Sequence, residues 1–225
     1  MRGGHFIAVE GVDGCGKSTQ ARLIAAALEA AGHSVLRLRE PGGVKISEQI
    51  RAILLDPANA EMGDVCELLL YEAARAQLVH QVIRPALAAG KTVICDRFYD
   101  STTAYQAFAD GLDRGMVSQA NELAVDGCRP DLTLVFDLSV EAPCAAVPAV
   151  KPRTASSSRA WSSKSALQRV SARLPPMSRI RVKLIDAGGS ISEVFSSVVD
   201  ELRSAGLRLC PRMMPLRRCR RVRKC

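Results

Sequence analysis

Gly11-Val12-Asp13-Gly14-Cys15-Gly16-Lys17-Ser18-Thr19 follows the apolar run Phe6-Ile7-Ala8-Val9 and precedes an Ala/Leu-rich stretch from Gln20 to Ala31. It fits G-x-x-x-x-G-K-[ST], in which successive backbone N–H groups curl around a phosphate chain and a lysine reaches its outer oxygens. Gly11 and Gly16 let the backbone turn tightly and approach phosphate without a Cβ in the way. Lys17 is then the movable positive charge, and the Ser18 hydroxyl is a natural Mg²⁺ ligand. A glycine turn with a surface lysine can arise by chance. Here the flanks read as a short buried strand and a helix, the strand–loop–helix setting the motif requires, and a helix N-terminus adds its own preference for anions. The stretch therefore predicts an NTP-phosphate site.

Working outward, Gly32 marks the end of the first helix and Ser34 to Leu38 reads as a second strand. Arg39-Glu40-Pro41-Gly42-Gly43 is a turn cluster just beyond that strand, where open α/β sheets bind ligands. Ser47 to Leu55 reads as a short helix carrying Arg51. A long helix is predicted from about Met62 to Ala89, with Leu69, Ala73, Ala76 and Leu78 as its apolar positions and with Tyr71 and Arg75 four apart on one face. Thr92 to Cys95 is a third, fully buried strand running into Asp96-Arg97. Helices over Ser101 to Ala109 and Asp113 to Cys128, strands over Leu132 to Phe136 and Ile180 to Ile185, and a helix over Ile191 to Ala205 complete the pattern. Alternating strands and helices imply right-handed crossovers and a parallel sheet. The expected fold is α/β: a three-layer P-loop fold of the nucleoside monophosphate kinase type, with a five-stranded parallel sheet flanked by helices.

A chain of 225 residues can bury one good core. No apolar run approaches the roughly 20 residues of a membrane span, and the first residues pass into a strand without a signal-peptide pattern. Eight cysteines are scattered with no C-x-x-C pair, which fits reduced thiols in a cytoplasmic protein better than a disulfide frame or zinc site. The net charge of +8 raises the question of nucleic acid. Eight basic residues and no acidic one lie between Arg208 and Cys225, so the remainder is neutral and neither nucleic acid nor membrane is the expected partner. Residues 208–225 read as a basic, unstructured tail on a domain spanning 1–207.

With these motifs in place, the chain resembles the thymidylate kinases of the bacterial kind. The resemblance rests on Glu10 to Thr19, on Arg39-Glu40-Pro41-Gly42-Gly43, on Tyr71-Glu72-Ala73-Ala74-Arg75, and on Asp96-Arg97-Phe98-Tyr99-Asp100-Ser101-Thr102-Thr103-Ala104-Tyr105-Gln106. It implies ATP-dependent phosphorylation of dTMP with Mg²⁺, and a homodimer. Phosphoryl transfer needs positioning and charge neutralisation, and the planar fork of arginine suits phosphate. The resemblance assigns Arg51 and Arg97 to the acceptor phosphate and Arg75 to the pyrimidine edge, with Glu40 and Thr102 beside it. It puts Tyr71 on the thymine face and Tyr105 under the deoxyribose, where a ring leaves little room for a 2′-hydroxyl. Asp13 would face the 3′-hydroxyl and the metal region, with Lys17 and Arg97 as its catalytic companions. Asp96 would hold the Mg²⁺ ligated by Ser18 from the outer shell. Singly, each has an ordinary alternative: Tyr71 as a core aromatic, Arg75 as a solvated helix residue, Arg97 paired with Asp100. Their joint occurrence in family order argues for the site.

The resemblance runs from about Phe6 to Glu141 and resumes at Ile185-Asp186-Ala187. Gly14 stands where one group of the family carries a basic residue; the bacterial group takes that charge from a lid after the fourth strand. From Ala142 to Ile185 this chain has no Asp or Glu and consists largely of Ala, Pro, Ser, Arg and Lys. Either the lid is divergent and basic, with Lys151, Arg153, Arg159 or Lys164 serving the phosphates, or the window is translated out of frame and restored near Ile180, the reading favoured by a match that stops and resumes at nearly the right spacing. The alternatives to a dTMP kinase are a related deoxynucleotide or deoxynucleoside kinase and a catalytically silent nucleotide-binding protein.

Overall fold

The computed structural model describes residues 3–102, 112–137 and 180–209. Tyr105, most of the helix expected after Ser101, the window from 142 to 179 and the tail beyond residue 209 lie outside them.

The central strand β1, Phe6–Gly11, is buried along its whole length. Ile7 and Val9 enter one core and Phe6 and Ala8 the other. A strand with two apolar faces must be covered on both sides, and a parallel sheet with helices above and below does so. The loop after β1 leads into α1 (Lys17–Ala30), followed by β2 (Val35–Arg39), α2 (Lys45–Leu55), α3 (Asp64–Leu78), α4 (Arg84–Ala88), β3 (Thr92–Asp96), α5 (Tyr99–Thr102), α6 (Arg114–Val125), β4 (Leu132–Asp137), β5 (Val182–Asp186) and α7 (Ile191–Ser204). The five strands are all parallel in the order β2-β3-β1-β4-β5. On one face Ile24 and Leu28 of α1 and Val198 and Leu202 of α7 pack on Ile7, Val9, Leu134 and Phe136. On the other, Leu78, Ile83 and Phe98 pack on Phe6, Ala8, Val93 and Cys95. No helix among the described residues is long and apolar enough to cross a membrane.

This order places the carboxyl end of β1 between those of β3 and β4. Val9 pairs with Asp96 and Gly11 with Phe136. Helices leave β1 and its neighbours toward opposite faces, which opens the crevice where doubly wound sheets bind ligands.

Four expectations need correction. The helix from Met62 to Ala89 is interrupted: a π turn, Val79–Ile83, joins α3 to α4 just ahead of Pro85, whose missing N–H cannot continue the regular ladder. Leu69, Ala73 and Ala76 do not mark its buried stripe; Leu69 is 58% exposed, and the inward face carries Leu68, Glu72, Arg75 and Leu78. With Glu67, three charged residues on the buried face break the apolar period, so hydropathy alone misplaces it. Finally, α5 begins at Tyr99 rather than Ser101, and β5 at Val182, leaving Ile180 exposed.

Candidate active site

The turn after β1 leaves no room for a side chain at Gly11. Its φ is +143°, and a Cβ would come within 2.5 Å of the Phe136 carbonyl oxygen and 2.9 Å of Cys15 Sγ. Gly16, at φ +91°, then turns the chain into α1. Lys17 Nζ folds back over the loop, donating to the Val12 carbonyl at 2.7 Å and approaching Asp13 Oδ1 to 3.8 Å. The amine is 6% exposed, and burial, then the charge of Arg97, pulls its pKa below the usual lysine value.

Asp96, the last residue of β3, accepts from the Ser18 hydroxyl at 2.8 Å. Arg97 follows at φ +73°, a left-handed conformation unusual for a long side chain. Its guanidinium donates to Asp13 Oδ1 at 2.6 Å and to Ser101 Oγ at 3.4 Å, so it pairs with the loop and not with Asp100. Burial would raise the Asp13 pKa, but Arg97 and Lys17 outweigh it and hold the carboxyl below its ordinary value.

Glu10 holds the Arg97 turn in place. Fully buried at the end of β1, it accepts from the Phe98 N–H at 2.7 Å, the Ser101 N–H at 3.2 Å and the Ser101 hydroxyl. Burial, reinforced by nearby Asp100, pushes its pKa up to about 7. Asp100 in turn takes both terminal nitrogens of Arg181, at 2.8 and 3.0 Å, and the Thr133 hydroxyl at 3.1 Å.

A second cluster forms where α3 meets the turn after β2. Arg75 is 2% exposed. It donates from Nε to Glu40 Oε2 at 2.8 Å, from one terminal nitrogen to Glu72 and to Asn121 Oδ1 at 3.3 Å, and from the other to Thr102 Oγ1 at 3.0 Å. Burial opposes its charge, yet Glu40 and Glu72 raise its pKa further. Burial likewise lifts Glu40 to about 7 despite Arg75. Arg51 donates to the Pro41 carbonyl at 2.8 Å, beside this cluster. Tyr71 is pushed up to about 12 by burial and Glu67, while the charges of Arg97, Arg51 and Arg75 all reach its hydroxyl; it stays neutral at physiological pH.

The fold thus joins Lys17, Asp13 and Arg97, joins Ser18 and Asp96, and joins Glu40, Arg75 and Thr102, with Arg51 and Tyr71 nearby. Sequence reasoning missed Glu10, Ser101, Glu72 and Asn121. Glu10 carried one signal, a carboxylate ending an apolar strand, where a charge survives only with partners. Glu72 stands three residues before Arg75 on one helix. Asn121 carried none, since its role depends on α6 packing against α3.

A parallel sheet of this order, with its glycine-rich loop wrapped by lysine and opened into a helix, defines a P-loop domain of the nucleoside monophosphate kinase fold. The family model described as thymidylate kinase matches residues 9–198. The chain belongs to the thymidylate kinase family. It is 57% identical over 133 residues to the thymidylate kinase of Syntrophotalea carbinolica, covering 59% of this chain and 62% of that protein. Over 136 residues it is 54% identical to that of Trichlorobacter lovleyi, covering 60% and 64%. The chain therefore aligns with under two thirds of the length of these relatives. The crystal structure of thymidylate kinase from Ehrlichia chaffeensis superposes with a TM-score of 0.70 at 30% identity, covering 89% of this chain and 98% of that one.

Proposed function

We propose that this chain transfers the γ-phosphoryl group of ATP to dTMP, forming dTDP. The observation that carries the reading is the position of Arg97, bonded to Asp13 of the phosphate loop while its turn is anchored to Glu10 and Ser101. A cation so held bridges the donor cradle and the acceptor side. Loop N–H groups and Lys17 would hold the ATP phosphates, while Arg97 and Arg51 would bind the acceptor phosphate and draw it toward the γ-phosphorus. Charge neutralisation at fixed positions is what this chemistry asks of a protein. Asp13 keeps Lys17 and Arg97 close to each other and would meet the 3′-hydroxyl. Tyr71, a neutral ring, would stack on the base. Tyr105, outside the described residues, is assigned to the deoxyribose by its family position.

The Ser18 hydroxyl and Asp96 carboxylate are hard oxygen donors, which suit Mg²⁺. Among the described residues no group of three or more His, Cys, Asp or Glu could hold an ion, so Mg²⁺ would be shared with the nucleotide. When bound it neutralises phosphate charge.

Homodimerisation belongs to the same reading. Packed helices α2, α3 and α6 expose Ile46, Ile53, Val65, Leu69 and, at 83%, Leu123. Light scattering on the purified chain, with Leu69→Glu and Leu123→Glu as controls, tests the dimer. A cytoplasmic location fits the free cysteines Cys15, Cys66, Cys95 and Cys128.

A coupled ADP-release assay with ATP and a panel of dTMP, dUMP and dCMP tests the activity. Release dependent on dTMP supports it; binding of ATP and dTMP without product makes the chain a silent nucleotide binder. The intact mass of the native protein, beside its coding DNA translated in all frames, tests whether the window from 142 to 180 is a basic lid or an out-of-frame stretch.

A further inference from the structure

We propose that Glu72 and Asn121 are positioning residues: they lock Arg75 so that it offers one donor to the base, and the preference for a pyrimidine carbonyl over an amine there depends on them. This rests on the reading that a pyrimidine nucleotide is the acceptor.

A guanidinium has five N–H groups in one plane. Among the described residues four of those on Arg75 are engaged, by Glu40, Glu72, Asn121 and Thr102, leaving one on the nitrogen that bonds Thr102. The four partners come from the turn after β2, α3, α6 and α5, so the plane is fixed from separate elements. Every member is at least nine-tenths buried. The ring of Phe98, with its centroid 5.4 Å from the guanidinium carbon, backs the group. Such an arginine cannot swing out to grip a phosphate with two parallel bonds, nor turn a second donor toward the base.

The surroundings bias the site further. Glu40 Oε1 and Glu72 Oε2 are buried acceptors with no hydrogen-bond partner among the described residues. Two carboxyls against one guanidinium make the cluster rich in acceptors, and raised protonation of Glu40 is one way it relieves that excess. One donor within a set of acceptors matches the carbonyl and ring N–H of thymine or uracil. Cytosine presents an amine and an unprotonated ring nitrogen, the reverse pattern. A site built to hydrogen-bond one pattern discriminates strongly, because the wrong ligand leaves buried groups unpaired. Glu72 and Asn121 supply this by fixing Arg75.

The test uses the full chain and compares kcat and KM for dTMP and dCMP in wild type, Glu72→Ala, Asn121→Ala and Glu72→Gln, with thermal unfolding to establish folding. Glu72→Ala and Asn121→Ala are expected to raise KM for dTMP about tenfold with a smaller fall in kcat, and to shrink the preference for dTMP over dCMP by about tenfold or more. Glu72→Gln keeps an acceptor and is expected to retain most of the preference, whereas a purely structural contact would move stability and leave the ratio alone. Folded alanine variants with the wild-type ratio overturn the positioning role while leaving the acceptor assignment intact. A wild-type chain that prefers dCMP, or uses neither nucleotide, overturns the acceptor reading and this inference with it.

Discussion

The two polar clusters of this molecule are built in opposite ways. The phosphate cluster of Lys17, Asp13, Ser18 and Arg97 is drawn from one loop and the end of one neighbouring strand, and it reaches solvent: Asp13 is 63% and Arg97 20% exposed. The cluster around Arg75, proposed to face the base, gathers four distant elements and is sealed from solvent. A phosphate cradle must yield its internal bonds to a ligand at each turnover, so its bonds are few and partly wet. Under the proposed role, a group that reads a base must hold still, which fits partners that are many and dry. The contrast predicts that removing a cation from the first cluster harms chemistry more than stability, and that the second cluster shows the reverse balance.

Lys17→Met should give the largest effect. With Lys17 in its proposed role at the ATP phosphates, its loss is expected to lower kcat/KM by about a thousandfold, by analogy with the loss of a fixed electrostatic donor. Stability should hold or rise, because the buried amine is desolvated and, among the described residues, satisfied by Val12 and a longer contact to Asp13. A melting temperature lowered by many degrees would place Lys17 with the structural ions instead.

Arg75→Met reverses the order. It strands Glu40 and Glu72 without their common partner, and breaking a buried ion pair from one side typically costs about 3–5 kcal/mol. Denaturant titration at pH 7 should show a loss of that size. With an unchanged midpoint, the contrast between the clusters would fail.

What could be read from the chain follows the same division. The phosphate loop was legible because its chemistry sits in nine consecutive residues with the strand and helix that frame them. Four of the five strands fell where apolar runs predicted, and the fifth was displaced by two residues, since β5 is an edge strand with Lys183 alternating into it. The base cluster was legible only as a family pattern, through Arg75, Glu40 and Thr102. Glu72 and Asn121 were hidden because α3 turns a charged face inward, and Asn121 reaches Arg75 across 46 residues. Position in the fold, not residue type, brings them to Arg75.

Glu10 links the two regions and gives a test of pH. Its carboxyl, ordinarily near 4.5, titrates at about 7 in the folded chain. A raised folded pKa means the native state binds a proton that the unfolded state has released between those values. Stability is therefore fully present below about pH 4.5 and falls as pH rises toward 7. Glu40 has the same sign and range, so Glu10→Gln should remove only part of the decline. The expected result is a shallower fall in melting temperature between pH 5 and 7 in the variant; parallel curves would sink the assignment to Glu10.

The smallest effect is expected at the surface pair Arg39–Glu48, whose side chains are 49% and 43% exposed. Glu48 accepts from Arg39 at 2.9 and 3.0 Å and from the Gly43 N–H at 2.7 Å. The backbone bond fixes the turn that carries Glu40, whereas the arginine contact is exposed and screened by salt. Arg39→Ala should cost under about 1 kcal/mol and leave base selection untouched. Glu48→Ala removes the backbone bond as well and should cost more, with a modest rise in KM for dTMP as the turn bearing Glu40 loosens. Equal effects of the two substitutions would show that the turn is held by its glycines and by Arg75 alone.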